Sequence, residues 1–253
     1  MLISSRENKL VKYVKKLNKR SFRDETGQFL AEGERLVRDL SEKGAQIDLL
    51  FMLSGCDFGI SAKESFEVTE NVLSAMADTE NPQGVLAVVK KPEYTVSDIS
   101  DPAVICDRVS DPGNLGTIIR TADSAGFGVV VLLPGCADVY SPKAVRSTMG
   151  SLYGIPIVKC GIDDVKKKGL EIVCADLHKS SCIYDYDLKK PFAVVIGNEA
   201  NGVSDEIRNI CDGRIKIPML GSSESLNAAV SFAVTAYEAV RQRRAYLPSS
   251  ENK

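Results

Sequence analysis

The sequence of 253 residues contains a single histidine, His178, and none of its seven cysteines stands in a CxxC pair. One imidazole with no cysteine or histidine at ligand spacing excludes a His-rich hydrolytic metal centre, and no metal is expected. The scattered, odd-numbered thiols Cys56, Cys106, Cys136, Cys160, Cys174, Cys182 and Cys211 argue against a disulfide framework and for a cytoplasmic protein. No apolar run approaches the roughly 20 residues of a membrane span, and the opening MLISSRENK lacks a signal-peptide core, so no membrane partner is expected. The GxGxxG and GxxxxGKS/T fingerprints are both missing, which disfavours nicotinamide cofactors and P-loop nucleotide hydrolysis. What is present, 44% hydrophobic and 26% charged side chains, suits a globular chain of one long or two ordinary domains.

The formal net charge of −2 conceals an uneven distribution. Residues 1–23 carry Arg6, Lys9, Lys12, Lys15, Lys16, Lys19, Arg20 and Arg23 against Glu7 alone, a local +7 on a remainder of −9. Leu10, Tyr13, Val14 and Leu17 recur among them at three- and four-residue spacing, which predicts an amphipathic helix with a cationic outer face. Such a face is either a solvated surface or a phosphate-binding one.

Beyond it the pattern predicts a small α/β unit: strands at 28–31, 47–53 and 84–89, with helices at 32–42 and around 72–76. The polar, proline-bearing stretch 90–102 marks a boundary between a first domain, 1–92, and a second, 103–246. In the second, strand candidates at 104–106, 129–133, 155–158, 172–175, 192–196 and 215–217 alternate with helical segments. That alternation predicts a parallel sheet covered on both faces, with ligands at the carboxyl ends of its strands.

Three stretches carry polar residues that such a fold does not need. Asp111 to Arg120 (DPGNLGTIIR) follows a strand and opens a helix with Leu115, Ile118, Ile119, Ala122 and Ala125 inward, Asn114 as a candidate cap and Arg120 well inside. Phe192 to Gly202 (FAVVIGNEANG) is an apolar strand running into Gly197, Asn198, Glu199, Asn201 and Gly202. Ile215 to Arg241 joins a short strand to a Gly-Ser loop and a long helix. Its candidate cap is Ser223 or Ser225, and its apolar stripe is Leu226, Ala229, Val230, Ala233, Val234, Tyr237 and Val240. Ser225 and Asn227 stand where a helix start can face a ligand. Each stretch taken alone is also explained by turn and packing chemistry.

Taken in order, the three resemble the motifs of the SpoU/TrmH family of RNA ribose 2′-O-methyltransferases in the SPOUT class. DPGNLGTIIRTADSAGFG is similar to the first motif, VVIGNEANGVS to the second and IPMLGSSESLNAAVSFAVTAYE to the third. Ala228-Ala229-Val230 replaces a common Val-Ser-Val-like run, a change expected to touch packing. The N-terminal region resembles the ribosomal-protein-like substrate-binding domain found ahead of many such enzymes.

The resemblance implies a parallel-sheet domain with a deep trefoil knot behind a smaller α/β RNA-binding domain. It also implies S-adenosylmethionine held by backbone groups around Gly197, Ile217, Met219 and Leu226 with Leu133 and Pro134 nearby, a homodimer, and rRNA as substrate, without DNA. The family's functional positions fall on Asn114, Arg120, Glu199, Ser225 and Asn227. Arg120 would act either as the base for the ribose 2′-OH or as a phosphate anchor that stabilises the developing alkoxide. Two rivals remain open at this level: a catalytically silent RNA-binding or ribosome-assembly factor on the same fold, and a small-molecule enzyme on a doubly wound sheet.

Overall fold

Asn8 closes the N-terminus of the first helix with its own side chain, which accepts a hydrogen bond from Leu10 N at 2.8 Å. After β1 (Leu2–Ile3), the cationic segment folds as two helices, α1 (Lys9–Lys16) and α2 (Arg20–Thr26), rather than one. Val11, Val14 and Leu17 are buried, while Lys9, Lys12, Lys15, Lys16, Lys19 and Arg20 are exposed. Arg23 departs from this pattern: it is 3% exposed, donates to Leu17 O at 2.6 Å and pairs with Asp138 Oδ2 at 2.5 Å. It therefore serves packing and cannot belong to a phosphate-binding face.

The computed structural model describes residues 1–176, 180–222 and 224–244, so His178 and Ser223 lie outside the described residues. These residues form two units, one of residues 1–93 with 138–154, the other of 94–137 with the described residues from 155 onward.

In the first unit, β2 (Gln28–Glu32), α3 (Glu34–Glu42), β3 (Ile47–Leu53), β4 (Glu64–Val68), α4 (Glu70–Met76) and β5 (Val85–Lys90) complete a five-stranded sheet in the order β1-β4-β3-β5-β2. Strands β1, β4 and β3 are parallel, and β5 pairs antiparallel with both β3 and β2. Strand β4 was not predicted, because only Phe66 and Val68 mark a buried side in a polar stretch.

The second unit bears out the predicted alternation. It begins with β6 (Ala103–Cys106), α5 (Pro112–Ser124) and β7 (Val129–Leu132). The chain then leaves it for residues 138–154, which supply α6 (Pro142–Thr148) to the first unit. There Tyr140 packs on Phe29 with ring centroids 5.3 Å apart, and Asp138 meets Arg23. Sequence position alone puts this excursion in the second domain, since its contacts are invisible in local pattern. The unit resumes with β8 (Ile157–Lys159), α7 (Ile162–Lys166), β9 (Glu171–Ala175), β10 (Ser181–Cys182), β11 (Phe192–Ile196), α8 (Asp205–Ile210), β12 (Gly213–Lys216) and α9 (Ala228–Arg244).

Its seven strands lie in the order β10-β12-β9-β11-β6-β7-β8, all parallel. Strands β6, β7 and β11 are buried at every residue, as strands covered on both faces must be. From β6 the chain winds outward to β7 and β8, then crosses over to β9 before returning to β11 at the other flank of β6. The loops after β6 and β11 thus start from adjacent carboxyl ends, the end of the sheet at which α/β folds hold ligands.

Two helix starts differ from expectation. Asp111, not Asn114, caps α5: its Oδ1 accepts from Asn114 N at 2.8 Å, with Pro112 at the first helical position. Asn227, not Ser225, caps α9, its Oδ1 accepting from Ala229 N at 2.9 Å and Val230 N at 3.3 Å. The buried stripe of α9 is also rotated from the one predicted. It comprises Ala229, Phe232, Thr235, Ala236, Glu238 and Ala239, while Val230 and Tyr237 are 47% and 53% exposed.

Candidate active site

The loop after β11 is closed on itself. Asn198 and Gly202 exchange backbone hydrogen bonds of 3.0 and 2.8 Å, and Asn198 Oδ1 accepts from Ala200 N and Asn201 N. Gly197 is required by that closure: a Cβ there would stand 2.2 Å from Gly202 C and Val203 N. The nearest constraint on this glycine is the loop's own backbone, and it also lines the cavity described below.

The closed loop projects Glu199 toward the loop after β6. Its Oε2 accepts from Ser110 N at 3.2 Å and Ser110 Oγ at 3.0 Å, and its Oε1 from Asp111 N at 3.2 Å and Asn114 Nδ2 at 3.0 Å. Partial burial acts against ionisation, but hydrogen bonds from Asn114 and from the backbone of Glu199, Ser110 and Asp111 outweigh it and hold the carboxyl below its ordinary range. Asn114 continues the chain, since its Oδ1 accepts from Asn227 Nδ2 at 3.0 Å. Because Asp111 and not Asn114 caps α5, the Asn114 amide is free to bridge the two. Glu199, Asn114 and Asn227, from three separate stretches of sequence, form one hydrogen-bonded line.

Arg120 lies two turns along α5 from this line, is exposed, and makes no hydrogen bond or ion pair with any described residue. Ser225 borders a neighbouring cavity of 310 Å³ enclosed by the loops after β9, β11 and β12 and the start of α9. Gly197, Ile217, Met219 and Leu226 line that cavity together with Asp176 and Arg208, which pair at 2.8 Å. Leu133 and Pro134 do not line it; Leu133 is buried in the core of the sheet and Pro134 is exposed. Among the described residues no group of three His, Cys, Asp or Glu is arranged to hold a metal.

Residues 101–237 match the SpoU rRNA Methylase family, and residues 8–87 match the MRM3-like substrate binding domain. The chain belongs to the SpoU rRNA methylase family. One relative is the 23S rRNA (guanosine(2553)-2'-O)-methyltransferase RlmP of Bacillus subtilis (strain 168), 35% identical over 93% of this chain and 97% of that protein. A 23S rRNA (uridine(2479)-2'-O)-methyltransferase of Streptomyces viridochromogenes is 40% identical over 52% of this chain, and the match spans 49% of that protein. Similar solved structures include the AdoMet-bound rRNA methyltransferase from Sinorhizobium meliloti, with TM-score 0.86, 33% identity and coverage of 98% of this chain and 99% of that one. The SpoU methyltransferase AviRb from Streptomyces viridochromogenes, in complex with AdoMet, superposes with TM-score 0.85 at 32% identity, covering 94% and 99%.

SpoU methylases take their methyl group from S-adenosylmethionine, and the cavity fits such a donor. Its volume lies in the small-molecule range, and apolar Ile196, Ile217, Met219 and Leu226 line it beside polar Asp176 and Asn198. Among the described residues, the backbone of Met219 and Leu226 pairs with no other backbone group, leaving N–H and C=O for a ligand. Sequence reasoning named Asn198 without a role, and missed Ser110 and Asp111, which help position Glu199, and the Asp176–Arg208 pair in the cavity wall. Asp111 opens the quoted first motif and Ser110 immediately precedes it, so proximity in sequence was an available signal. Asp176 and Arg208 are 32 residues apart and carried none.

Proposed function

We propose that this SpoU methylase transfers the methyl group of S-adenosylmethionine to a ribose 2′-hydroxyl of ribosomal RNA, using Arg120, Asn114, Glu199, Ser225 and Asn227. The observation that carries the reading is the Glu199–Asn114–Asn227 line, which joins all three motifs beside the cavity. When bound, the donor presents an activated methyl on a sulfonium whose leaving group is neutral. The protein must then hold the weakly nucleophilic hydroxyl in line and stabilise the charge that grows on its oxygen. Glu199 is occupied by donors on both oxygens, so it orients Asn114 and the two loops rather than accepting the proton. Arg120 is exposed, and a guanidinium stays protonated in proteins, so it serves as a cation that stabilises the growing charge as the hydroxyl proton leaves to solvent. Ser225 lines the cavity two residues before the Asn227 cap.

The exposed lysines of α1, in the part that matches a substrate-binding domain, give an acidic chain its attraction for a polyanion. The half-exposed Val230 and Tyr237 of α9 support a homodimer formed across that helix, which light scattering tests directly. Free cysteines, two of them fully buried, support a reducing cytoplasm. The enzymatic test is Arg120→Ala: methyl transfer to rRNA should fall at least about a hundredfold while donor affinity stays the same. Arg120→Lys should recover little, because a point charge cannot replace the planar fork. Near-normal turnover of Arg120→Ala would return this residue to a merely exposed helix position.

A further inference from the structure

Arg108 stands in a left-handed backbone conformation, φ +56°, at the carboxyl end of β6. Glycine or asparagine occupies such a position at little cost, whereas a long side chain is strained there. Three contacts hold it. Its Nε donates to Asp107 Oδ1 at 3.1 Å, and Asp107 is itself 3% exposed and also accepts from Ser204 N at 2.6 Å. Its carbonyl accepts from Asn198 Nδ2 at 2.9 Å, the same amide that reaches Ser110 Oγ and Glu199 Oε2. Its aliphatic stem lies over Gly135, where a Cβ would come within 2.9 Å of Arg108 Cγ.

The result is a guanidinium fixed through Nε alone. Both Nη nitrogens have no partner among the described residues, and the side chain is 42% exposed. It sits in the loop after β6 whose Ser110 and Asp111 hold Glu199. A surface arginine needing no fixed direction would not require a strained backbone, a buried carboxylate and a glycine beneath it. Strain of this kind persists where the surroundings enforce it for a purpose. A pre-set guanidinium with two free N–H edges matches the bidentate geometry of a phosphodiester.

We infer that Arg108 is an RNA-binding residue that grips a backbone phosphate next to the target ribose, leaving Arg120 for the ribose oxygen itself. This rests on the RNA methyltransferase reading above. It divides the work of the site: Arg108 sets the register of the strand, and Arg120 acts where charge develops.

The decisive variant is Arg108→Gly, which removes the fork and relieves the backbone. It should weaken binding of protein-free 23S rRNA about tenfold. The slope of log K against log salt should flatten by about 0.7–0.9, the contribution of one phosphate contact. KM for RNA should rise more than kcat falls, with S-adenosylmethionine affinity unchanged by calorimetry. Arg108→Lys should keep the salt slope yet recover only part of the affinity. If Arg108→Gly bound RNA with wild-type affinity and slope, the assignment would be wrong and the guanidinium would serve only Asp107. If the wild-type protein bound and methylated no RNA, the functional reading itself would fall, an outcome distinct from a silent Arg108→Gly.

Discussion

Replacing Glu199 by glutamine keeps the shape of the side chain and inverts half of its hydrogen-bonding sense. One carboxylate oxygen faces Ser110 N, Ser110 Oγ and Asn198 Nδ2, and the other faces Asp111 N and Asn114 Nδ2. Wherever the new amide nitrogen is placed, it meets at least two donors; only the Ser110 hydroxyl can rotate to accept. Two hydrogen bonds to a charged acceptor are therefore lost. Each is worth about 1.5–3 kcal/mol when dry, but Glu199 is exposed and water can serve the freed donors, so about 1 kcal/mol each is the better figure. A total of about 2 kcal/mol corresponds to a Tm lower by about 4–8 °C in a chain of this length.

The same substitution carries a pH signature. The carboxyl is held below its ordinary value of 4.5, so its stabilisation is complete above that value and fades as pH falls through the lower folded value. Calorimetric Tm values of wild type and Glu199→Gln should therefore differ at neutral pH and converge only below about 4.5. Methyl transfer should fall with the loss of the Asn114 bridge. Equal Tm values at neutral pH, or a gap that persists unchanged in acid, would refute the proposed role of this carboxylate.

Gly197→Ala should abolish S-adenosylmethionine binding, because the added carbon stands 2.2 Å from the Gly202–Val203 backbone; normal affinity by calorimetry would show that the loop need not close. Arg23→Ala should destabilise the protein by about 3–5 kcal/mol, since it strands Asp138 in a site where the two side chains are 4% and 11% exposed, and an unchanged denaturant midpoint would contradict this. Reversing Lys12, Lys15 and Lys16 to glutamate should flatten the RNA salt slope by about 2 while leaving donor affinity intact. An unaltered slope would make α1 a solvated face.

The parallel sheet was legible because its strands are short apolar runs that local pattern reports directly: Phe192–Ile196 and Ile47–Leu53 were read to the residue. The polar residues of the site were legible only jointly, through motif order, since each alone is ordinary turn chemistry. What pattern could not give was which polar atom satisfies which. Asp111 and Asn227 took the caps expected of Asn114 and Ser225, and that exchange is what frees the Asn114 amide to reach Glu199. Arg108 was equally silent, for a left-handed φ leaves no trace in an arginine's neighbours. The rotated stripe of α9 has a similar cause: several apolar registers fit an alanine-rich helix, and packing chose Phe232.

The excursion of residues 138–154 bears on how the protein can be made. Arg23 and Asp138 are separated by 115 residues, so at ribosomal rates of about 5–20 residues per second the cation waits about 6–23 s for its counter-charge to be synthesised. Tyr140 and α6 arrive later still. The N-terminal unit therefore cannot finish folding when its own sheet has emerged, and must remain open until β6, α5 and β7 have been translated. A fragment cut at the apparent linker near residue 93 would expose Arg23 and Phe29 rather than release an intact module, and the two units are best regarded as interleaved products of a single synthesis.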